Sequence, residues 1–155
     1  MKLRILSVGH KMPDWVETAC SEYTKRMPRE LAIEIVEIKP DKRADGKNST
    51  TVQAAEAKRI LEAAGNDYLV ICDEHGKEMS TAKLAEMLKF WHTLGKNVSF
   101  VVGGADGLDE NLKKQADILW GLSKLTLPHA FVRVLLCEQL YRAYSVTQNH
   151  PYHRE

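Results

Sequence analysis

The last eight residues, QNHPYHRE, are rich in side chains that can do chemistry. They hold two histidines, a tyrosine, an arginine and a carboxylate, although terminal residues usually fray and carry little chemistry. Histidine is the side chain that most readily exchanges a proton near neutral pH, and arginine is well suited to phosphate. The segment is either a solvated end or part of an active site, and the pattern alone leaves both interpretations open.

The spacing of His150 and His153, as HPYH, raises the question of a metal site. Zinc and similar ions are normally bound by further Cys, His or Asp ligands at regular spacing. Such ligands are missing nearby, and Pro151 interrupts the pair. We therefore expect no metal.

The segment before the tail places charged residues within an apolar helical pattern. Arg133, Glu138 and Arg142 stand among residues such as VLLC. Glu138 and Arg142 are four residues apart and can pair on one helix face. If the helix is as buried as its composition suggests, these charges need partners or a function.

Two further segments could bind a ligand through their backbone. Gly103, Gly104 and Gly107 follow an apolar run, and their missing Cβ atoms allow close approach, although the pattern is neither GxGxxG nor a P-loop. At Leu125–Leu127 an extended stretch breaks at Pro128 and restarts as a helix near His129, where backbone groups could hydrogen-bond a planar base such as adenine. By itself, an ordinary glycine turn explains the first pattern better than a ligand site does, and an ordinary strand-to-helix turn explains the second equally well.

The elements that must position these residues follow from hydrophobic periodicity. The first helix is predicted to start near Pro13, to stop at Pro28, and to share one face among Trp15, Ala19, Tyr23 and Met27. The other predicted helices are Thr51 to Gly65, Ser80 or Thr81 to Gly95, Glu110–Leu119 and Ala130–Tyr144. The predicted strands are Leu3–Val8, Leu31–Ile38, Tyr68–Cys72, Val98–Val102 and Leu125–Leu127.

Alternating strands and helices, with later strands apolar throughout, indicate a single α/β domain over residues 1–155 with a mainly parallel sheet. Ligands of such sheets bind beyond the carboxyl ends of the strands. Cys72, Gly103 and Leu127 stand at three of these ends, and we expect all three to line one crevice.

Bulk properties narrow the classes of partner. Hydrophobic residues make up 44% and charged residues 28% of the 155 residues, which is typical of a globular domain. No apolar run reaches the roughly 18 residues of a membrane span, so we expect no membrane partner. The three cysteines form no CxxC pair, so we expect reduced thiols and a cytoplasmic location. Because the net charge is only +1, we expect any nucleic acid to bind to a local patch of positive charge. Lys39, Lys42, Arg43 and Lys47 form one candidate, although a solubilising loop is an equal alternative.

Four blocks resemble the ribosomal RNA large subunit methyltransferase H family: VGHKMPDW at Val8–Trp15, VVGGADGL at Val101–Leu108, LSKLTLPHAFVRVLLCEQLYRAYSV at Leu122–Val146, and the closing NHPYHR. They occur in order across nearly the whole chain. The resemblance implies a SPOUT-type α/β fold with helices on both faces of the sheet, a C-terminal deep trefoil knot, and a homodimer.

The resemblance also implies an activity, namely methyl transfer from S-adenosylmethionine to N3 of a pseudouridine in 23S rRNA of the assembled ribosome. The cofactor residues it implies are Cys72, Gly103, Gly104, Leu122, Ser123, Lys124, Leu125, Thr126 and Leu127. For catalysis, we assign Arg142 and Arg154 to phosphate or developing negative charge, His153 or Glu138 to proton removal, and Tyr152 to the base. The tail is then expected over the cofactor pocket of the partner subunit.

Two other functions fit the same strand and helix pattern. One is a non-catalytic nucleotide-binding or flavodoxin-like regulatory domain, which has no evident use for HPYHR. The other is methylation of a tRNA or a protein with the same cofactor pocket. Binding of S-adenosylmethionine distinguishes a methyltransferase from the regulatory domain. The choice of substrate distinguishes an rRNA methyltransferase from one that acts on tRNA or protein.

Overall fold

The computed structural model describes residues 1–9, 11–42, 48–104 and 106–154. Arg43 and Lys47 of the predicted basic cluster lie outside these ranges. Five strands form one sheet in the order β2-β1-β4-β3-β5, and every neighbouring pair is parallel. The strands are β1 Leu3–Val8, β2 Ile33–Ile38, β3 Tyr68–Glu78, β4 Val98–Val102 and β5 Ile118–Gly121.

Helices cover both faces of this sheet. The α-helices are α1 Asp14–Thr24, α2 Ser49–Ala64, α3 Thr81–Leu94, α4 Glu110–Lys114 and α5 His129–Thr147. One core cluster joins α1, α3 and α5 to the sheet, with Trp91 and Phe100 at its centre. A second joins α2 and α4 to the other face, around Ile60 and Leu112. The predicted α/β class, with a parallel sheet between two helical layers, is confirmed.

Helix α3 shows how local signals define an element. The Ser80 side chain accepts a hydrogen bond from the Lys83 amide at 3.0 Å, which satisfies a backbone donor at the helix start. At the other end Gly95 takes a left-handed conformation with φ of 65°. Leu88 and Trp91 are buried on the face between these caps. The predicted caps and core positions of this helix are confirmed.

The predicted face of α1 is partly right, since Tyr23 and Met27 pack against the core cluster. Trp15 of that face is 50% exposed and lies against Phe131, with ring centroids 5.5 Å apart and the rings tilted by 52°, whereas Val16 and Cys20 are buried in the core. The fourfold spacing from Trp15 to Met27 follows a neighbouring stripe of the helix. The prediction relied on the large aromatic residues of α1. The smaller Val16 and Cys20 face the core instead, because α1 closely approaches the sheet and α5.

The predicted helix over Glu110–Leu119 and strand over Leu125–Leu127 are also wrong. The helix stops at Lys114, and the strand is β5, Ile118–Gly121. Asp117 causes the switch, because its carboxylate accepts from the Leu69 amide at 2.8 Å and its own amide donates to the Leu69 carbonyl at 2.8 Å. These long-range bonds fix the chain at the sheet edge and override the local helical preference.

The sheet does not define how the chain threads, so the trefoil knot stays a prediction. Within the described ranges, no helix is both long and apolar enough to cross a membrane.

Candidate active site

A pocket opens at the carboxyl ends of β4 and β5, beside the middle of β3, where the pairing of β3 with β5 shifts between Cys72 and Lys77. Parallel sheets usually bind ligands beyond the carboxyl ends of their strands. The walls of the pocket come from these three strands, from the segment between β5 and α5, and from the first turn of α5. The lining residues are Cys72, Asp73, Glu74, Val102, Trp120, Leu122, Ser123, Leu125, Thr126, Leu127 and Val132. Six predicted cofactor residues therefore meet here: Cys72, Leu122, Ser123, Leu125, Thr126 and Leu127.

The segment between β5 and α5 forms the outer wall of this pocket. It runs from Gly121 to His129 without regular structure, and Ser123 Oγ accepts a hydrogen bond from the Leu125 amide at 2.9 Å. Leu125 is 75% exposed, so its apolar side chain is available to a ligand. Lys124 is exposed and is not among the pocket-lining residues, which separates it from the other predicted positions.

Cys72 contributes an apolar wall to the pocket. Burial raises the pKa of its thiol to about 12. At neutral pH the thiol is therefore protonated and is a poor nucleophile. This residue fits a packing role against a ligand and does not fit covalent catalysis.

Acidic groups and one indole give the pocket its polar character. Asp73 and Glu74 line it, and Lys113 lies 3.6 Å from the Asp73 carboxylate and 3.2 Å from Glu110. Trp120 Nε1 is buried and has no hydrogen-bond partner among the residues that the structure describes. The pocket thus combines apolar walls with carboxylates that favour a cation.

The predicted cofactor residues Gly103 and Gly104 follow β4 but are not among the pocket-lining residues. A Cβ on Gly103 would lie 2.7 Å from Leu108 Cγ, and one on Gly104 would lie 3.0 Å from Val8 Cγ1. Tight packing therefore accounts for glycine at both positions. The Gly103 carbonyl accepts a hydrogen bond from His129 Nδ1 at 2.8 Å.

The C-terminal tail folds back on α5 of its own chain. After Asn149, with φ of 54°, the His150 amide donates to the Ser145 carbonyl at 2.9 Å, and Pro151–His153 forms a short 3₁₀ turn. This turn places Tyr152 against the helix, with its ring 4.8 Å from that of Tyr141. The tail is therefore an ordered part of the domain.

Glu138 is the acceptor that holds the tail. Its Oε2 accepts from the Tyr152 hydroxyl at 2.8 Å and from Arg142 Nε at 2.9 Å, while its Oε1 accepts from Gln139 Nε2 at 2.6 Å. The Arg142 guanidinium also lies 4.7 Å from the Tyr152 ring centroid. Burial, and then the bond to Glu138, raise the pKa of Tyr152, so its hydroxyl remains a donor at neutral pH. Three of the predicted catalytic residues thus form one cluster.

This cluster and the pocket at the strand ends are separate in a single chain. Glu138 follows the pocket residue Val132 by six positions, roughly 9 Å along the helix at about 1.5 Å per residue. No described tail residue lines the pocket. The remaining predicted catalytic residues, His153 and Arg154, are half-buried and exposed respectively, and both belong to the tail.

A second polar network was missed as a site by the sequence reasoning. Arg133 is buried, and its Nε donates to Ser7 Oγ at 2.9 Å while its Nη1 contacts Glu37 Oε1 at 3.3 Å. Ser7 Oγ also lies 2.8 Å from His129 Nε2. Two signals in the sequence were available, namely the histidine in LTLPH and the charge of Arg133 within an apolar helix. Nothing in the sequence marked Ser7 or Glu37 as part of a site.

Comparison with known proteins identifies the family. A family model described as "Predicted SPOUT methyltransferase" matches residues 1–153. The chain belongs to the SPOUT methyltransferase family. Its relatives include the ribosomal RNA large subunit methyltransferase H of Methylobacillus flagellatus, 69% identical with all of both chains covered. The protein of the same name from Paraburkholderia phymatum is 57% identical, with 99% of each chain covered.

Solved structures support the same fold at low sequence identity. The tRNA (m1G37) methyltransferase from Aquifex aeolicus matches with a TM-score of 0.56 and 18% identity, covering 92% of this chain and 70% of that one. A probable methylase family protein from Haemophilus influenzae matches with a TM-score of 0.58 and 13% identity, covering 97% and 69%. At these identities the likeness shows the fold alone, and it confirms the SPOUT-type architecture.

Within the described residues, no group of His, Cys, Asp and Glu side chains is arranged to hold a metal ion.

Proposed function

We propose that this chain is an S-adenosylmethionine-dependent enzyme that methylates the ribosomal RNA of the large subunit. The observation that carries the proposal is the end-to-end match to two proteins with that name, at 69% and 57% identity. Following the resemblance of the sequence blocks, the acceptor is N3 of a pseudouridine in 23S rRNA, presented by the assembled ribosome. A cytoplasmic location follows from that substrate.

The chemistry of the pocket fits S-adenosylmethionine. Leu125, Leu127 and Val132 offer apolar surface to an adenine ring, and the backbone of residues 122–127 offers hydrogen-bonding groups to its edge. Asp73 and Glu74 favour hydroxyl groups and positive charge, and the unpaired Trp120 N–H matches an acceptor. When bound, the cofactor supplies an activated methyl group on a positively charged sulfonium. The chain's own work is then to align the acceptor nitrogen and to exclude water.

The acceptor must lose the proton on N3 before it can attack. We assign proton removal to His153 or Glu138, stabilisation of the resulting anion or of nearby phosphate to Arg142 and Arg154, and contact with the base to Tyr152. In the docked tail, Glu138 accepts from three donors. A role of Glu138 as base therefore requires the tail to release it.

We further propose that the enzyme is a homodimer in which the tail of one subunit serves the pocket of the other. Within one chain the tail cluster and the pocket are separated along α5, as described above. Trp15 and Phe131 form a tilted aromatic pair, 50% and 55% exposed, at the start of α1 and α5. Adjacent aromatic surface of this kind is typical of subunit interfaces.

The proposal is tested by methyl transfer from labelled S-adenosylmethionine. The acceptors are ribosomes that lack the modification, naked 23S rRNA and tRNA, and the product nucleoside is identified by mass spectrometry. We expect N3-methylpseudouridine with assembled ribosomes only. Label in tRNA alone would overturn the proposed substrate, and failure to bind the cofactor would overturn the enzymatic function.

Substitutions in the tail distinguish its role from that of the cofactor pocket. His153→Ala and Arg154→Ala are expected to reduce turnover while the cofactor dissociation constant stays nearly unchanged, because both residues lie in the tail. A large loss of cofactor affinity in either variant would contradict the assignment. Mixing His153→Ala subunits with subunits that have a damaged cofactor pocket tests the dimer, since a tail that acts across subunits restores one complete site in the heterodimer.

A further inference from the structure

His129 links three elements that are far apart in sequence. It is the first residue of α5, and its two ring nitrogens contact opposite neighbours. Nδ1 lies 2.8 Å from the carbonyl oxygen of Gly103 at the end of β4, and Nε2 lies 2.8 Å from Ser7 Oγ in β1. Gly103 directly follows Val102, which lines the cofactor pocket. The ring therefore ties the start of α5 to the strand end beside that pocket.

The chemistry of the partners fixes where the protons lie. A carbonyl oxygen can only accept, so His129 Nδ1 carries a proton and donates it to Gly103. Arg133 Nε can only donate, so Ser7 Oγ accepts from it, and the Ser7 hydroxyl proton remains for His129 Nε2. The chain of bonds runs from Arg133 through Ser7 and His129 to Gly103. In this arrangement the imidazole is neutral, with its proton on Nδ1.

We propose that neutral His129 is a positioning residue for cofactor binding, which clamps the end of β4 and the start of α5 in the geometry that the pocket requires. The proposal rests on the proposed function through the identity of the cofactor. Nothing in the reaction needs His129 to touch the substrate. Its effect passes through Gly103, Val102 and the pocket-lining first turn of α5.

Protonation of His129 would weaken this clamp. Nε2–H could no longer accept the Ser7 hydroxyl proton, and a second positive charge would stand in a largely buried position beside the Arg133 guanidinium. Burial lowers the pKa of His129 from 6.5, the Gly103 bond opposes that change, and the Arg133 charge adds to it. The clamp is thus fully present above pH 6.5 and is lost as the pH falls through the lower pKa of the folded protein.

The charges around this network are few. Of the charged residues on α5, Arg133 takes part in this network, and Glu37 of β2 lies 3.3 Å from it. Glu17 of α1 lines the same surface pocket as Arg133 and Glu37. Asp73 and Glu74 of β3 lie in the cofactor pocket, on the side of α5 marked by Val132. The β1 and β4 contacts, Ser7 and Gly103, are uncharged.

The first test compares cofactor binding by calorimetry from pH 7.5 to pH 5 in the parent chain and three variants. His129→Asn keeps a donor near the position of Nδ1 but cannot titrate, His129→Ala removes both contacts, and His92→Asn replaces an exposed histidine on α3 as a control. The parent and His92→Asn are expected to lose affinity as the pH falls toward the lowered pKa of His129, since only the neutral fraction binds. His129→Asn is expected to bind within about threefold of the parent at pH 7.5, with a flatter profile, and His129→Ala about tenfold more weakly.

The second test is made on the ligand-free protein. Nitrogen-15 NMR of the imidazole is expected to show the neutral ring with its proton on Nδ1 and a titration midpoint below pH 6.5. A proton on Nε2, or a His129→Asn profile as steep as that of the parent, would overturn the proposal. If the parent bound no S-adenosylmethionine at any pH, the proposed function would fail instead, and the NMR result would still decide whether the clamp exists.

Discussion

Replacing Tyr152 by Phe should loosen the tail while leaving the domain folded. Phe keeps the ring contacts with Tyr141 and Arg142, at 4.8 and 4.7 Å, and removes only the hydroxyl that donates to Glu138 at 2.8 Å. The substitution therefore isolates one hydrogen bond in the tail cluster. It leaves the two core clusters of the sheet untouched.

The size of the effect of Tyr152→Phe depends on the groups that share the lost hydrogen bond. A hydrogen bond to a charged group contributes about 1.5–3 kcal/mol, and the lower end applies here because Arg142 still satisfies the same carboxylate oxygen. A loss of about 1.4 kcal/mol raises the open population of the tail about tenfold. Tyr152→Ala also removes the ring pair and the cation–π contact, each about 0.5–1.5 kcal/mol, so its total of about 3 kcal/mol corresponds to roughly a hundredfold.

Hydrogen exchange followed by mass spectrometry measures this opening. Peptides covering residues 148–154 should exchange about tenfold faster in Tyr152→Phe, whereas peptides covering β4 should be unchanged. Tyr144→Phe, on the same helix but outside the tail cluster, serves as the matched control. Unchanged exchange of the tail in Tyr152→Phe would refute the conclusion that Glu138 holds it.

Three further predictions concern the pocket and its supports. Gly121→Ala should lower the free energy of unfolding by about 1–3 kcal/mol in urea titrations, because the new Cβ would clash with the Gly76 carbonyl; an unchanged midpoint would contradict this. Cys72 should react with iodoacetamide at pH 8 about ten thousand times more slowly than a fully ionised thiol and should speed up tenfold per pH unit, since its pKa is about 12; a rate like that of free cysteine would argue against its burial. Trp120→Phe should weaken S-adenosylmethionine binding by about fivefold to tenfold in calorimetry if the buried N–H serves the ligand, and equal affinity would exclude that role.

Much of the fold was predictable because its signals are local. The buried run VSFVV became β4, and the Ser80 and Gly95 caps bounded α3 as expected. The errors arose where a distant contact decided the outcome. Asp117 ended a predicted helix early by bonding to Leu69, and the close packing of α1 selected Val16 and Cys20 over the larger Trp15.

The candidate site divides in the same way. The segment Leu122–Leu127 was predicted to bind the cofactor, and most of its residues line the pocket. Glu74 and Trp120 were not predicted, since their positions depend on how β3 and β5 pair. Gly103 was predicted as a ligand contact, but the structure places it against Leu108 and His129.

The sequence by itself determined the family, the α/β class and the chemical types available in the tail, because motifs and short-range periodicity are written along the chain. The tertiary structure decided which of those side chains meet. Tyr152 meets Glu138 only because the chain turns back after α5. Ser7 and Arg133, separated by 126 positions, share a hydrogen bond because β1 lies under the start of α5. Such contacts depend on the packing of whole elements, and no local pattern records them.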